Sequence, residues 1–366
     1  MKEKLRAREL GLPFPGVTGK YNAITDVPGV LVGYTTLIDN NPRSPARTGV
    51  TAILPRGYDK TPKPVWAGTF ALNGNGEMTG THWIQDGGYF TGPVMITNSH
   101  GVGITHHATV KWMIEQYKSE WEQNHLWAMP VVAETYDGVL NDINAMHVTE
   151  ADARHALENA QSGTVAEGNV GGGTGMIAYD FKGGTGTSSR LINLDGDTYT
   201  VATLVQANHG IRPWLSVLGA PIGQFLPKDR IHAKSEQGSI IVVIATDAPM
   251  APHQLRRLAK RAAIGIGRNG SPGGNNSGDI FLAFSTANEQ PLPQLSGTYR
   301  TMTCLNDEVF DAFYQAAVES VEESVINAMV AAEDTPTFKQ PAGTICRAID
   351  PDVLSQLVAQ FHQRQS

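Results

Sequence analysis

An apolar run limits the possible folds of this 366-residue chain more than any other feature. Residues 239–245 read SIIVVIA, which is strand length and continuously apolar after the first serine. Because apolar and polar residues do not alternate in it, we expect both faces of this strand to be buried. A second apolar run, at residues 280–284, has the same character. The chain is therefore expected to contain a sheet that is covered on both sides.

Helical spacing of apolar residues predicts a helix that begins near Pro252 and continues to Ile266. Thr149 with Asp152 approximates a capping box, and a helix from there is predicted to end near residues 162–163. Further helices are predicted over residues 108–123, over residues 306–332 with Asn306 as N-cap, and from Asp352 onward. Short strands are predicted at residues 30–34, 50–54, 94–96, 128–133, 175–179 and 199–206.

The order of these elements favours an α+β layered architecture over a doubly wound sheet, since strands and helices do not alternate strictly. Residues 61–107 are predicted to be mainly loop, and loops of that length usually carry function. Glycine is in excess, with 39 residues of 366, and three glycine-rich stretches hold much of it. We expect these stretches, at residues 74–88, 168–175 and 265–278, to surround the functional site.

Composition excludes several classes of protein. Lys and Arg number 28 and Asp and Glu number 35, and the resulting net charge of −7 argues against nucleic-acid binding. Two cysteines in a chain of this length cannot form a disulfide framework or a Cys-rich zinc site. The sequence has no apolar stretch of signal-peptide or membrane-span length at its start or elsewhere. We therefore expect a cytoplasmic protein that binds neither nucleic acid nor membranes.

The pattern G-x-G-x-x-G occurs at Gly265, Gly267 and Gly270. A dinucleotide-binding site would need a strand before this pattern and a helix after it. Here the predicted helix precedes it, so we interpret these glycines as the end of that helix and the turn that follows.

Residues 97–101, TNSHG, are similar to a nucleophile elbow, in which a serine lies between a strand and a helix. A strand is predicted before Ser99, but the next helix is predicted to begin only near residue 108, which argues against this role. Histidines of the same region lack the spacing of known metal ligands, so we predict no metal site and expect hydrogen-bonding roles in loops for His82, His100, His106 and His107.

The junction between Gly238 and Ser239 says most about function. A polar segment, HAKSEQ at residues 232–237, ends there and the apolar strand begins at once. Gly and Ser are common at ordinary loop-to-strand boundaries. The same pair also suits self-cleavage, because glycine hinders attack on its own carbonyl very little and the serine hydroxyl lies beside that carbonyl. Cleavage would make Ser239 an N-terminal nucleophile with its own α-amine as the base.

Four longer motifs resemble the self-processing serine aminopeptidase family, which contains L-aminopeptidase/D-amidase-esterases and β-aminopeptidases. They occur in the expected order, and they are WAGTFALNGNGEMTG at residues 66–80, EGNVGGGTGM at 167–176, GSIIVVIATDAP at 238–249 and NNSGDIFLAFSTAN at 275–288.

The resemblance implies a four-layer αββα sandwich, similar to that of ornithine acetyltransferases, in one domain over residues 1–366. It implies cleavage between Gly238 and Ser239 into a large chain, residues 1–238, and a small chain, residues 239–366. The two chains would stay together, and the pairs would assemble as a homo-oligomer, a tetramer of processed heterodimers.

The resemblance also assigns roles to individual residues. Ser239 matches the nucleophile, Ser277 and Asp279 the pair that supports it, and Asn208 the side chain that helps to form the oxyanion hole. Glu134 and Tyr136 match residues that hold the amino group of the substrate and line the pocket. The family often has Glu where this chain has Asp279, whose side chain is one methylene shorter.

The chemistry of these residue types agrees with those roles. A carboxylate such as Glu134 can pair with an ammonium and select a free N-terminus, and the Asn208 amide can donate to an oxyanion. On the residues alone, Asn208 and Ser277 also suit turns, and Glu134 suits a solvated surface charge. With the resemblance, we expect an aminopeptidase that releases L-α-, D- or β-amino acids from small peptides, amides or esters through an acyl-enzyme on Ser239, without a cofactor.

Three alternatives stay open at this point. One is an acyltransferase of the same fold, a family that uses threonine where this chain has Ser239. Another is a cyclic-amide hydrolase of the same superfamily. The third is a non-catalytic scaffold protein, against which the retention of Ser239, Ser277, Asn208 and Glu134 argues.

Overall fold

The computed structural model describes residues 5–231, 236, 238–339 and 342–364. In chain order its strands are β1 (Leu31–Asp39), β2 (Ala46–Leu54), β3 (Val65–Gly74), β4 (Tyr89–Phe90), β5 (Val94–Asn98), β6 (Val131–Thr135), β7 (Ile177–Ala178), β8 (Phe181–Lys182), β9 (Gly184–Leu194), β10 (Asp197–Asn208), β11 (Ser239–Thr246), β12 (Gly278–Ser285), β13 (Thr335–Pro336) and β14 (Ile345–Cys346). Its helices are α1 (Thr81–Gly87), α2 (Val102–Gln116), α3 (Lys118–Gln123), α4 (Glu150–Glu158), α5 (Ile222–Phe225), α6 (Pro252–Ala259), α7 (Arg261–Arg268), α8 (Asp311–Val330) and α9 (Pro351–Gln363).

Two sheets form the middle of the molecule. One has the strand order β1-β2-β5-β6, and the other has the order β4-β3-β12-β11-β10-β9. Buried apolar side chains from both sheets form one core between them. The outer face of the first sheet packs on α2 and α4, and the outer face of the second packs on α6 and α8, with α7 against α8 and α9 against α5 in the same helix layer. This is the αββα sandwich that was predicted.

The central position of strand β11 in the larger sheet explains why its sequence is continuously apolar. Every residue of Ser239–Thr246 is buried. Ile240, Val242 and Ile244 point to the helix layer, whereas the residues between them point to the other sheet. Full burial of such a side chain contributes roughly 1.5–3 kcal/mol, so this central strand is a main source of stability. The prediction of two buried faces is confirmed.

Two long strands escaped prediction because their sequences are rich in small and polar residues. Strand β9 reads GTGTSSRLINL, and β3 lies inside the stretch that was predicted to be mainly loop. Small residues are needed where helices approach the sheet closely. A Cβ on Gly186 of β9 would lie 2.0 Å from the Ser324 carbonyl oxygen of α8, and a Cβ on Gly68 of β3 would lie 2.2 Å from the Arg256 nitrogen of α6.

The helix predictions are confirmed in position but differ at several ends. Thr149 caps α4 with the predicted capping box, yet α4 ends at Glu158, before residues 162–163. The helix predicted over residues 252–266 is interrupted at Lys260, where Ala263 N–H bonds the Lys260 carbonyl three residues back. The helix predicted from residue 108 begins at Val102, six residues earlier, so the argument that no helix closely follows Ser99 is wrong.

The glycine-rich stretches do not all serve the same purpose. Residues of Gly171–Gly175 form a buried 3₁₀ turn, where a Cβ on Gly172 would lie 2.2 Å from Gln206 Oε1. This stretch packs in the interior, so the prediction that it borders the site is wrong. Gly265 and Gly267 lie within α7, and Gly270 follows it with a φ of +97°, which confirms the interpretation as a helix end and turn.

Among the described residues, helices long and apolar enough to cross a membrane are absent.

Candidate active site

Strand ends bring most of the predicted site residues to one edge of the larger sheet. Strands β11 and β12 are parallel and begin together, with Ser239 opposite Gly278. Strand β10 runs antiparallel to β11 and ends there, with Asn208 opposite Ser239. Residues that are 31 or more positions apart in sequence thus meet because three strands start or stop at the same level.

The Ser239 side chain is held in a defined orientation. The Gly278 backbone N–H donates a hydrogen bond to Ser239 Oγ at 3.1 Å. The preceding residue, Gly238, packs directly on the chain beside it, since a Cβ there would lie 1.7 Å from the Asn208 carbonyl oxygen. Only glycine fits at this position. Residues 232–235 and 237 of the polar segment lie outside the described residues.

Ser277 and Asp279 form a hydrogen-bonded pair next to Ser239. Ser277 Oγ donates to Asp279 Oδ1 at 2.5 Å, and both residues are completely buried. Burial raises the pKa of the Asp279 carboxyl to about 6, against the hydrogen bond from Ser277, which lowers it. A nearby buried carboxylate, Glu236, adds to the rise. The shorter Asp side chain therefore reaches Ser277 with its carboxyl held at a raised pKa.

Asn208 is fixed by two contacts at the end of β10. Its Oδ1 accepts a hydrogen bond from the Ile177 backbone N–H at 2.7 Å, and its Nδ2 donates to the Tyr136 carbonyl oxygen at 3.0 Å. An amide nitrogen has two N–H groups, so the second remains for another acceptor. Asn208 is thus more than a turn residue, because its side chain joins β10 to the segment after β6.

Glu134 belongs to the smaller sheet but faces the same cleft as Ser239. It lies on β6, is 7% exposed, and accepts hydrogen bonds from the Glu77 backbone N–H at 3.0 Å and from the Ser99 hydroxyl. Burial raises the pKa of the Glu134 carboxyl, and the two hydrogen bonds lower it. Glu134 is thus a buried carboxylate held by two hydrogen bonds. It is not the solvated surface charge that its sequence position alone also allowed.

A cleft of about 470 Å³ reaches both Ser239 and Glu134, whereas Asn208, Ser277 and Asp279 lie behind its lining. It is lined by Asn75, Gly76, Ser99, Glu134, Tyr136, Gly238, Ser239 and Asn276. Its residues come from both sheets and from the loops after β3 and before β12. The predictions that residues 74–88 and 265–278 border the site are thus confirmed at Asn75, Gly76 and Asn276.

Tyr136 forms part of the cleft wall and is contacted by a residue that is distant in sequence and outside the cleft lining. The Lys339 ammonium donates to Tyr136 Oη and lies 4.8 Å from the centre of its ring. The backbone N–H of Lys339 donates to the Val139 carbonyl oxygen at 3.1 Å, so a second hydrogen bond joins the two segments.

Sequence reasoning missed four features of this site: Ser99, Glu236, Lys339 and the asparagines that line the cleft. Ser99 carried a signal, the TNSHG motif, which was set aside because α2 was predicted to start too late. Glu236 accepts the Gly210 N–H at 2.5 Å and is buried, although it lies in a segment that reads as polar. Nothing near Lys339 in the sequence could have pointed to the cleft.

The four histidines do not converge. His82 lies in α1 and His106 and His107 in α2, so the expectation that they occupy loops is wrong for these three. His100 follows Ser99 in the turn, with Nδ1 3.3 Å from the Ile143 carbonyl oxygen. Within the described part of the chain, no group of three or more His, Cys, Asp or Glu side chains is placed to hold a metal ion.

The chain is similar to known proteins over most of its length. Residues 22–342 match the sequence profile of peptidase family S58. The beta-peptidyl aminopeptidase BapA of Sphingosinicella microcystinivorans is 50% identical over 347 residues, which cover 90% of this chain and 86% of that protein.

Solved structures give the same result. The L-aminopeptidase D-Ala-esterase/amidase of Ochrobactrum anthropi, a prototype for the serine aminopeptidases and a variant of the Ntn hydrolase fold, matches with a TM-score of 0.94 and 58% identity over 98% of this chain and 99% of its own. A beta-aminopeptidase from Burkholderia sp. matches with a TM-score of 0.89 and 43% identity over 97% of this chain and 99% of its own. With its αββα fold and its cleft at the meeting edge of two sheets, this chain belongs to peptidase family S58 and is an aminopeptidase.

Proposed function

We propose that this aminopeptidase is activated by cleavage of its own Gly238–Ser239 bond and then uses Ser239 as the N-terminal nucleophile. The observation that carries the proposal is the position of Ser239. Its hydroxyl lies at the start of a rigid central strand, is oriented by the Gly278 N–H, and shares a cleft with the buried carboxylate of Glu134.

Maturation needs only groups that are already adjacent. Ser239 Oγ attacks the Gly238 carbonyl carbon, the bond from that carbon to the Ser239 nitrogen breaks, and an ester forms while the α-amine is released. Water then hydrolyses the ester, which leaves a carboxylate on Gly238 and restores the Ser239 hydroxyl. The absence of a side chain at Gly238 keeps its carbonyl open to attack.

Turnover repeats this chemistry on a substrate with a free amine. Glu134 pairs with the substrate ammonium, Tyr136 forms the pocket wall, and Ser239 attacks the first carbonyl. The second N–H of the Asn208 amide donates to the developing oxyanion, a contact whose removal typically costs about 10²–10³ in rate. The Ser239 amine accepts the hydroxyl proton and passes it to the leaving amine or alcohol, whose bond to the carbonyl carbon breaks and leaves an acyl ester on Ser239. The same amine then activates the water that hydrolyses this ester and restores the hydroxyl, while Ser277 and Asp279 order the nucleophile.

The names of the relatives indicate the substrate class. They act as beta-peptidyl aminopeptidases and as an L-aminopeptidase with D-Ala-esterase and amidase activity. For this chain we propose small peptides, amides or esters that begin with an L-α-, D- or β-amino acid, and no metal or organic cofactor enters any step. From the resemblance to the family we also propose a tetramer of processed pairs.

The experiment compares wild type with Ser239→Ala and with Ser285→Ala. Ser285 is a buried serine at the opposite end of β12, so it controls for loss of a hydroxyl. On a denaturing gel, wild type and Ser285→Ala should each give fragments of 238 and 128 residues and release p-nitroaniline from aminoacyl p-nitroanilides. Ser239→Ala should run as one band of 366 residues without activity. Processing of Ser239→Ala would refute the proposal.

A further inference from the structure

Ser99 occupies a rigid turn that presents its hydroxyl to the cleft. It follows β5 and precedes α2, and its neighbour Asn98 locks the turn from both sides. Asn98 Nδ2 donates to Thr48 Oγ1 at 2.7 Å, and Asn98 Oδ1 accepts the Gly101 N–H at 2.7 Å. These hydrogen bonds fix the backbone position from which the Ser99 side chain extends.

The register of two parallel strands sets the partner of Ser99. Strand β5 pairs with β6 so that Thr97 is opposite Glu134, and the turn after β5 lies beside that carboxylate. Ser99 Oγ donates its only proton to Glu134 Oε2. A serine in a strand–turn–helix segment resembles a nucleophile, but here its hydrogen bond goes to a buried carboxylate rather than to an imidazole or amine base.

The hydroxyl that donates to Glu134 keeps its two lone pairs, and Ser99 lines the cleft. The two oxygens of Glu134 differ in their partners, since Oε1 accepts the Glu77 N–H and Oε2 accepts the Ser99 hydroxyl. Glu134 and Ser99 both line the cleft, so an ammonium that pairs with Oε2 there lies within reach of the Ser99 oxygen as well.

We propose that Ser99 is an additional amine-binding residue, and that its oxygen accepts one N–H of the substrate ammonium while Glu134 Oε2 accepts another. The inference rests on the proposed role of Glu134. Two separate acceptors require at least two N–H donors, so the affinity of the site depends on the number of N–H groups that the protonated amine carries. Primary amines and N-methyl amines can satisfy both acceptors, whereas an N,N-dimethyl amine, with one N–H when protonated, leaves one acceptor unpaired.

The same contact tunes the charge of Glu134. A hydrogen bond from Ser99 favours the ionised carboxylate, so its loss raises the pKa of Glu134. The other charges that act on Glu134 are the Glu77 carboxylate, which raises its pKa, and His100, which lowers it. Since only the ionised form pairs with an ammonium, the acid limb of kcat/KM should move to higher pH when Ser99 is removed.

The test measures Ser99→Ala and Ser99→Thr on three p-nitroanilides of one amino acid, with primary, N-methyl and N,N-dimethyl amines. A derivative that is not cleaved is measured as a competitive inhibitor. For the primary amine, Ser99→Ala should raise KM about 10- to 100-fold with little change in kcat, the range expected for a hydrogen bond to a charged group. For the dimethyl amine the variant should change KM or the inhibition constant less than threefold, and Ser99→Thr should recover most of the loss.

An equal loss on all three amines, or an acid limb that does not move, would overturn the inference. Two measurements distinguish an incorrect role of Ser99 from an incorrect proposed function. Ser99→Ala should still give both fragments on a denaturing gel. Wild type should cleave a free-amine substrate far faster than its N-acetyl form. If wild type shows no such preference, the role of Glu134 is wrong. If wild type shows it and Ser99→Ala behaves like wild type, only the role of Ser99 is wrong.

Discussion

At the scale of single residues, the buried carboxyl of Asp279 makes the stability of the protein depend on pH. Its carboxyl is buried and hydrogen-bonded to Ser277, and its pKa is raised from 3.8 to about 6. A raised carboxyl pKa means that the folded chain binds this proton more tightly than the unfolded chain. The protonated Asp279 carboxyl therefore makes its full contribution to the free energy of unfolding below about pH 4. This contribution is lost as the pH rises through about 6.

Asp279→Asn should consequently stabilise the protein above pH 6. The comparison uses the Ser239→Ala chain with Asp279 and the same chain with Asn at position 279. Neither protein can then be cleaved by Ser239, so both unfold as one chain. The pKa rise corresponds to roughly 3 kcal/mol at most. Denaturant unfolding should show a gain of about 1–3 kcal/mol at pH 7.5, and a gain that shrinks steadily between pH 6 and pH 4. A gain that is the same at pH 4.5 and pH 7.5 would contradict the assignment.

At the scale of elements, sequence and structure agree where the apolar pattern is strong. β11 and β12 were predicted from continuous apolar runs, and the helix that begins at Pro252 from apolar residues at helical spacing. β9 and β3 were not predicted, because close helix–sheet packing selects small residues such as Gly186 and Gly68, which carry no apolar signal. The cleft follows the same division. Motif resemblance pointed to Ser239 and Glu134, which line the cleft, but the contact of Lys339 with Tyr136 arises only through tertiary packing.

Gly186→Ala should test the packing that hides β9 from prediction. A Cβ there would lie 2.0 Å from the Ser324 carbonyl oxygen and 2.7 Å from the Ala328 nitrogen, both in the backbone of α8. Overpacking of this kind costs about 1–3 kcal/mol, and the melting temperature should fall. Gly297→Ala adds the same methyl to an exposed loop with open space, so it should leave the melting temperature unchanged. Equal behaviour of the two variants would mean that α8 can move aside.

At the scale of the whole molecule, the proposed cut divides the larger sheet in an unusual way. β11 and β12 would belong to the small chain, but β12 pairs with β3 and β11 pairs with β10 of the large chain. The small chain thus supplies two central strands, and the large chain flanks them on both sides. Separating the fragments would break both of these strand pairings and expose the core between the sheets.

The fragments should therefore stay associated after cleavage. With an affinity tag at the C-terminus, native purification should recover both the 238- and the 128-residue fragments in equal amounts. Recovery should persist at 1 M salt, since the contacts are mainly apolar and backbone hydrogen bonds. The same tag in 6 M guanidinium should recover the 128-residue fragment alone. Loss of the large fragment under native conditions would contradict this account of the sheet.

If the chain is cut as proposed, the sheet shared by the two fragments would also make folding a single event in the life of the enzyme. The uncut chain closes β10 onto β11 through a connection of about 30 residues, an intramolecular step with a small entropic cost. Once Gly238 and Ser239 are separated, a denatured enzyme can recover only when two different polypeptides collide. Its refolding becomes second order in protein concentration, whereas the precursor refolds at a rate independent of concentration. Maturation would thus remove efficient refolding after denaturation. The lifetime of the mature enzyme would then depend on its unfolding rate.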